Sequence, residues 1–193
     1  MRRQIVPAFR LMLVLTVLTG LIYPGVVTGL CQVLFRWRAN GSMLSVGGKE
    51  IGSALIGQNF TKPEYFHPRP SAAGNEGYDA TASTGSNYGP TNQKLIDRVK
   101  SSAEQFRKEN PDYTGPIPAD LLTASASGLD PDISPASADA QAPRVAKARG
   151  IDLHQVEGLI SQNTKVADLG FLGEPRVNVL ELNLKLDRQF PQR

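Results

Sequence analysis

The sequence predicts one N-terminal transmembrane helix followed by a single loop-rich α+β domain. Three observations lead to this fold class. Residues 11–35 carry no charged side chain, whereas charged residues, glycines and prolines are spread through the rest of the chain. The later segments combine helical and alternating apolar patterns. We therefore divide the chain into a short N-terminus (1–10), a transmembrane helix (11–35) and one domain (36–193).

The uncharged run is long enough to cross a bilayer. At about 1.5 Å per helical residue it would reach roughly 37 Å, against a hydrocarbon core of about 30 Å. A removable signal peptide is the main alternative, but its apolar region spans about 7–15 residues and ends in a small-x-small pattern, which is absent before Arg36. Cys31 raises a lipoprotein possibility, although Leu30 stands where such sites have a small residue. An uncleaved anchor is the favoured interpretation.

The second half of the run contains residues that favour helix packing and bending. These are Gly20, Tyr23, Pro24, Gly25 and Gly29. Gly25 and Gly29 are four residues apart on one helical face, a spacing that lets another helix backbone approach closely. Pro24 lacks a backbone donor and predicts a bend. Glycine and proline are also common in membrane helices generally, so a partner helix and ordinary composition both remain open.

The charge balance excludes a polybasic binding surface. Of the 21 basic residues, only Arg2, Arg3 and Arg10 precede the run, which leaves 18 basic against 18 acidic side chains in the rest of the chain. A neutral domain has no broad field for nucleic acid or for acidic lipid. The run is followed closely by Arg36, Arg38 and Lys49. Its two ends therefore carry nearly equal numbers of basic residues, which do not decide the orientation of the helix in the membrane.

One apolar stripe and two sets of capping signals predict three helices in the domain. Residues 91–109 show an apolar stripe of helical spacing, formed by Leu95, Val99, Ala103 and Phe106. Ser134 is placed to cap a second helix that ends at Gly150, and Pro143 within it predicts a kink or two short helices. Asp152 begins a third helix, with Gln155 at capping-box spacing.

Two further segments have extended character. Gly47 and Gly48 predict a turn between short extended pieces. Residues 177–186 place leucines at every second position, which predicts a half-buried strand with a bulge near its start. The Pro- and Gly-rich stretches between the helices are long, and loops of that length inside a compact domain are uncommon unless they carry function.

No catalytic or metal-binding pattern is present in the sequence. Gly52–Gly57 has the outline of a phosphate loop, but Gln58 and Asn59 stand where Lys and Ser or Thr are needed. His67 and His154 have neither an HExxH arrangement nor a cysteine partner. The segment Ser127–Asp130 reads as a turn in which the Asp130 side chain bonds to the backbone.

A series of different short motifs follows in a specific order along the whole chain. They include 19–24 and 52–60, then 65–71 and 83–92, and finally 123–135, 144–150 and 173–183. In this order they make the chain similar to the C subunit of the bacterial Kdp potassium-transporting P-type ATPase. Within the loop motifs, the candidate subunit contacts are Phe66, Pro68, Arg69, Pro70, Ser86, Asn87, Gly89, Pro90, Asn92, Ser127, Gly128, Asp130, Pro131, Arg144, Arg149, Arg176 and Asn178.

The resemblance implies a non-catalytic accessory subunit of a four-part transporter. Its companions would be a channel-like potassium-binding membrane subunit, a P-type ATPase catalytic subunit and a small single-span subunit. The complex would use ATP, Mg and potassium, with no cofactor in this chain, which lacks an Asp-Lys-Thr-Gly-Thr phosphorylation motif. The implied location is the bacterial cytoplasmic (inner) membrane, with the N-terminus in the cytoplasm and the domain outside.

A hypothesis of a different class is a free-standing envelope enzyme or ligand-binding protein anchored by one helix. It predicts a stable monomer with a ligand or an activity of its own. The subunit interpretation predicts dependence on partners and no turnover by this chain alone.

Overall fold

The computed structural model describes residues 2–191 and shows mixed helix and sheet. The chain forms two compact units, Met1–Ser53 and Ala54–Arg193, called here the N-terminal and C-terminal units. The predicted class, an N-terminal apolar helix followed by an α+β domain, is confirmed.

The N-terminal unit begins with a continuous helical segment. Helix α1 (Arg2–Val17) passes through a π-helical turn (Leu18–Ile22) into α2 (Tyr23–Leu34). Side chains along residues 3–30 are exposed. Among the described residues, Arg3–Leu34 is the one helix long and apolar enough to cross a membrane.

The π-helical turn lies directly before Pro24. Tyr23 donates its backbone N–H to the carbonyl of Leu18, five residues back. Pro24 has no N–H to donate to Gly20, and its ring crowds that carbonyl in a regular α-helix. The wider turn relieves this crowding while the helix continues, and local π adjustments of this kind let membrane helices tolerate proline. The structure therefore shows a π-helical turn directly before Pro24, while the bend expected there stays a prediction.

A short helix and a hairpin complete the N-terminal unit. Helix α3 covers Arg36–Ala39, and strands β1 (Met43–Val46) and β2 (Lys49–Ser53) pair antiparallel. Gly47 and Gly48 form the turn with φ of +59° and +81°, a region that glycine adopts without a steric penalty. The predicted turn is confirmed.

Caps define the helices of the C-terminal unit. Helix α4 (Gln93–Glu109) begins at Asn92, whose side chain accepts the Lys94 N–H. Helix α5 (Pro135–Arg149) is capped by Ser134 and ends at Gly150 with φ of +65°. Helix α6 (Leu153–Asn163) has the full capping box predicted at Asp152. A 3₁₀ turn covers Ala119–Leu121.

Helix α5 runs through Pro143 as one helix, so the predicted division into two short helices does not occur. The bond that Pro143 cannot make would end on the carbonyl of Asp139. Asp139 lies on the exposed side of the helix, where water can satisfy that carbonyl. The buried face of α5 holds the helix together despite the missing bond.

The strand predicted over 177–186 is wrong. The segment divides into β5 (Arg176–Asn178) and helix α7 (Val179–Gln189). Strand β5 is the centre of a three-stranded antiparallel sheet, between β3 (Asp132–Ile133) and β4 (Thr164–Lys165). The buried residues Val179, Leu182 and Leu186 follow a helical spacing, and Leu, Glu and Lys are good helix formers. Of the four alternating leucines, Leu180, Leu182 and Leu186 are buried in this helix and Leu184 is half-buried.

The main core lies between α5, α6, α7 and β5. Its fully buried members include Phe66, Val145, Val156, Val177, Leu182 and Leu186. Phe66 comes from the irregular segment before α4, so this loop contributes to the core directly. A smaller cluster joins Phe106, Leu121 and Ala140.

Candidate functional site

The predicted loop motifs meet around the segment 63–71, which crosses the helices of the C-terminal unit without forming a strand. The side chain of Asn183, on α7, makes the two backbone hydrogen bonds that a neighbouring strand would otherwise make. Its side-chain oxygen accepts the Phe66 N–H at 2.9 Å, and its amide donates to the Phe66 carbonyl at 3.0 Å. Asn183 is 1% exposed. These bonds satisfy buried backbone groups that would otherwise destabilise the fold.

Arg144 of α5 holds the same segment from the other side. Its guanidinium donates to the carbonyls of Pro63 and Tyr65, and to the side-chain oxygens of Asn110 (2.9 Å) and Gln141 (2.7 Å). Burial lowers the pKa of Arg144 to about 10, while the Glu109 charge opposes this shift. The side chain is still protonated at neutral pH and acts as a structural clamp.

Arg149, one turn of α5 later, forms a second clamp. It donates to the carbonyls of Glu64 (2.8 Å) and Phe190 (3.1 Å), and pairs with Asp187 at 2.7 Å. Its guanidinium also lies over the Tyr65 ring, 4.9 Å from the ring centroid. The guanidinium groups of Arg144 and Arg149 therefore donate their hydrogen bonds to backbone carbonyls and side chains of this chain.

His67 connects this segment to α4. Its backbone N–H donates to Gln141 Oε1 at 2.8 Å, and its ring Nδ1 lies 3.2 Å from Glu109 Oε2. The other ring nitrogen, Nε2, lies 3.0 Å from the Lys62 carbonyl. The His67 hydrogen bond is the largest cause that lowers the pKa of Glu109, helped by a bond from Gln105 and opposed by burial.

The Glu109 contact predicts a pH-dependent contribution to stability. A carboxyl whose pKa is depressed on folding stabilises the fold above its unfolded pKa, near 4.5, and loses that contribution as the pH falls below it. We expect Glu109→Gln to unfold at a lower temperature than the parent at pH 7, with the difference shrinking below pH 4.5. Thermal unfolding across pH 3–7 measures this.

Glu104→Gln is the matched control, because it removes the same charge from an exposed position of the same helix. It should follow the parent curve. Unfolding curves of Glu109→Gln and the parent that stay parallel down to pH 3 would contradict this role of Glu109.

A second group of motif residues ties the loops to each other. Arg69 pairs with Asp130 at 2.8 Å, and Asp130 also accepts the Asp132 N–H, as the predicted turn requires. Ser71 donates to the Gly128 carbonyl at 2.6 Å. At Gly128, φ is +67° and an added Cβ would lie 2.6 Å from the Thr84 carbonyl oxygen, so only glycine fits there.

Three motif residues lie near the three-stranded sheet: Asn178, Pro131 and Arg176. Asn178 caps α7 by accepting the Glu181 N–H, and its amide donates to the Ala54 carbonyl at 2.9 Å. The carbonyl of Pro131 accepts the Val179 N–H. Arg176 lies 3.5 Å from Asp132 and 3.6 Å from Asp168.

The remaining candidates are more open. Ser86 is half-buried, and residues 87–92 are exposed, with Asn87 at φ of +51°. In the apolar helix, Gly20, Gly25 and Gly29 have no atom within 4 Å of an added Cβ. Tyr23 is 67% exposed. Pro68 and Pro70 line a half-open cavity of about 350 Å³ together with Arg69, His67 and Glu109.

The chemistry of this region is structural. Among residues 2–191, no group of three or more His, Cys, Asp or Glu side chains is placed to hold a metal ion. His67 is engaged with Glu109 and backbone, and His154 is exposed beside Glu157. The polar side chains described above hold loop backbone in place.

Sequence reasoning missed several residues of this network, among them Gln141, Asn183 and Glu109. Gln141 and Asn183 have a signal in the sequence, because each is a lone amide within a run of alanines or leucines on a helix. A buried amide in such a setting needs partners. Glu109 has no such signal, since it ends a charged helix.

Comparisons with known proteins agree on one family. A sequence model described as "KdpC: K+-transporting ATPase, c chain" matches residues 5–188. A relative from Myxococcus xanthus is 57% identical over 184 residues, covering 95% of this chain and 87% of the relative. One from Koribacter versatilis is 53% identical over 192 residues (99% and 97%), and one from Mycobacterium bovis is 56% identical over 190 residues (97% and 100%).

All three relatives carry the name potassium-transporting ATPase KdpC subunit. The matched range, residues 5–188, covers the apolar helix and most of the C-terminal unit. The chain therefore belongs to the KdpC family, the c chain of K+-transporting ATPases, as an accessory rather than a catalytic subunit.

Proposed function

We propose that this chain is a membrane-anchored subunit that stabilises the assembly of a channel-like potassium-binding subunit with a P-type ATPase catalytic subunit. A small single-span subunit completes the complex. ATP, Mg and potassium are handled by the companions. The observation that carries this proposal is that the motif arginines Arg144 and Arg149 end on the chain's own carbonyls and side chains, as in a rigid structural element rather than a reaction centre.

The apolar helix supports a place in the bacterial cytoplasmic membrane. Its exposed apolar side chains suit lipid, and its length exceeds the hydrocarbon core. We place the N-terminus (1–10) in the cytoplasm, the span at 11–35 and residues 36–193 outside. In this arrangement the domain meets little ATP, which agrees with the mismatched phosphate loop at Gln58 and Asn59.

The clamped loops suit a cap on a companion subunit. Binding costs free energy when flexible loops become ordered, and loops that are already fixed avoid that cost. Here the segment 63–71 is fixed by side chains from α5 and α7. The exposed motif residues 87–92, which lead into the cap of α4 at Asn92, offer a separate surface for a partner.

The glycine face of the span predicts a helix contact. Replacing both Gly25 and Gly29 with leucine fills the open glycine surface of α2 and keeps a companion helix at a distance. We expect the yield of intact complex to fall by about tenfold, equivalent to about 1.4 kcal/mol. Size-exclusion chromatography in mild detergent measures this yield.

A control pair at neighbouring positions, Val26→Leu with Leu30→Val, changes a different face of α2, because successive residues are rotated by about 100°. It should assemble normally. An unchanged complex yield with leucine at both glycine positions would rule out docking through this face.

The proposal as a whole is tested by purification of the tagged chain from its native host under potassium starvation, followed by identification of the co-eluting chains. Recovery of a P-type ATPase and a large polytopic protein in stoichiometric amounts is the expected result. A lone monomer, under conditions where both companions are expressed, would instead favour a free-standing envelope protein, an alternative that the family membership does not support.

A further inference from the structure

The connection between β4 and β5 forms a hairpin with an apolar end. Asp168 and Leu172 pair with each other, each donating its N–H to the other's carbonyl at 2.9 Å. The three-residue loop Leu169–Gly170–Phe171 closes the hairpin. We call Val166, Leu169, Phe171 and Leu172 the apolar tip.

The apolar tip is exposed to an extent unusual for side chains of this type. Val166 is 72% exposed, Leu169 83%, Phe171 75% and Leu172 51%. Within the described part of the C-terminal unit, none of the four belongs to either core cluster. Contiguous exposed apolar groups on a soluble surface mark interaction sites more often than isolated ones do.

The backbone conformation at position 169 is unfavourable for leucine, so local folding preference does not explain this residue. Leu169 has φ of +55°, a left-handed conformation that Asn, Asp or Gly adopt more readily. A turn selected only to close the hairpin would carry one of those residues. Leucine in this place opposes local preference and directs an apolar side chain outward.

The charges around the tip decide what covers it. The two basic side chains of the hairpin are engaged: Lys165 pairs with Glu181 at 2.9 Å, and Arg176 lies beside Asp132 and Asp168. Asp168 remains largely exposed, and Glu174 is exposed as well. The rim therefore presents carboxylates, which an anionic bilayer repels. An apolar centre with a charged rim is the anatomy of a protein interface.

We propose that the apolar tip docks on the extramembrane surface of a companion subunit, in an apolar socket whose rim carries Lys or Arg side chains for Asp168 and Glu174. This inference rests on the proposed function and names the surface of the domain that makes the contact. Phe171 and Leu169 are its anchors, because aromatic and large apolar side chains that fill a pocket dominate interface energetics. The exposed motif residues 87–92 are a separate surface.

The test introduces a photo-crosslinking amino acid at position 171 of the full chain, expressed with its companions in the native host. Position 153, an exposed leucine at the start of α6, is the matched control. We expect irradiation to join position 171, and not position 153, to a companion subunit identified by mass spectrometry. A second variant, Leu169→Asn, should keep or raise the unfolding temperature and lower the crosslink yield at 171 by about tenfold.

The outcomes separate this inference from the proposed function. If the companions co-purify but position 171 joins only to lipid, to a second copy of the chain or to nothing, the inference is wrong and the proposed function stands. If Leu169→Asn leaves the crosslink yield unchanged, the tip is not the anchor. If no companion co-purifies, the proposed function fails and the inference fails with it.

Discussion

Replacing Arg144 with alanine is expected to destabilise the protein by about 3–5 kcal/mol, because it leaves several buried acceptors without a donor. The carbonyls of Pro63 and Tyr65 and the Asn110 side-chain oxygen all lose their Arg144 partner. For a chain of this size the loss corresponds to a fall of roughly 6–20 °C in unfolding temperature. Thermal unfolding of the full chain in mild detergent, followed by circular dichroism, measures it.

Lys147→Ala is the control for this prediction. Lys147 is on the same helix and pairs with Asp112 at 3.2 Å, but both side chains are more than half exposed, so the pair is worth at most about 1 kcal/mol. Arg144→Lys adds a second comparison, since lysine keeps the charge but not the planar fork of donors. It should lie between alanine and the parent. Equal stability of Arg144→Ala and Lys147→Ala would show that the clamp is not needed.

Phe66→Ala is the second substitution with a large expected effect. Phe66 is 0% exposed and packs in the core formed by α5, α6 and α7. Large-to-small changes of this kind cost about 3–5 kcal/mol through lost burial and the cavity left behind. The loss should also release the segment 63–71, since Phe66 is its one fully buried side chain. Denaturant unfolding and protease sensitivity of that segment measure the two effects.

Phe171→Ala serves as the matched control, because it deletes the same side chain from a position that is 75% exposed. We expect its unfolding free energy to stay within about 0.5 kcal/mol of the parent. The pair also separates stability from assembly: Phe66→Ala should weaken the fold, and Phe171→Ala should weaken docking alone. Equal stability of Phe66→Ala and Phe171→Ala would contradict the core described here.

Local signals predicted most of the helices. Ser134, Asp152 and Gly150 act through hydrogen bonds to residues within four positions, so their effect is visible in a short stretch of sequence. The strand predicted over 177–186 failed for a related reason. Leucines at every second position fit a strand, but three of them, Leu180, Leu182 and Leu186, are also buried when the segment is a helix, and tertiary packing decides between the two.

The clamps were beyond sequence reasoning because they join distant parts of the chain. Asn183 binds the backbone of Phe66, 117 positions away, and Arg144 reaches Tyr65 across 79 positions. The motifs containing Arg144 and Arg149 were recognised, but their structural role depends on which backbone groups lie opposite them. The apolar tip was missed because its residues are ordinary in sequence and unusual only in their exposure.

The most direct test of the assembly role compares the companion subunits with and without this chain. In a host that lacks the chain, the tagged polytopic subunit is purified in mild detergent, and the amount of co-eluting P-type ATPase subunit is measured. We expect the ATPase subunit to be lost, and to return to stoichiometric amounts when the chain is supplied again. Companions that stay together in full stoichiometry without the chain would show that it does not stabilise the complex.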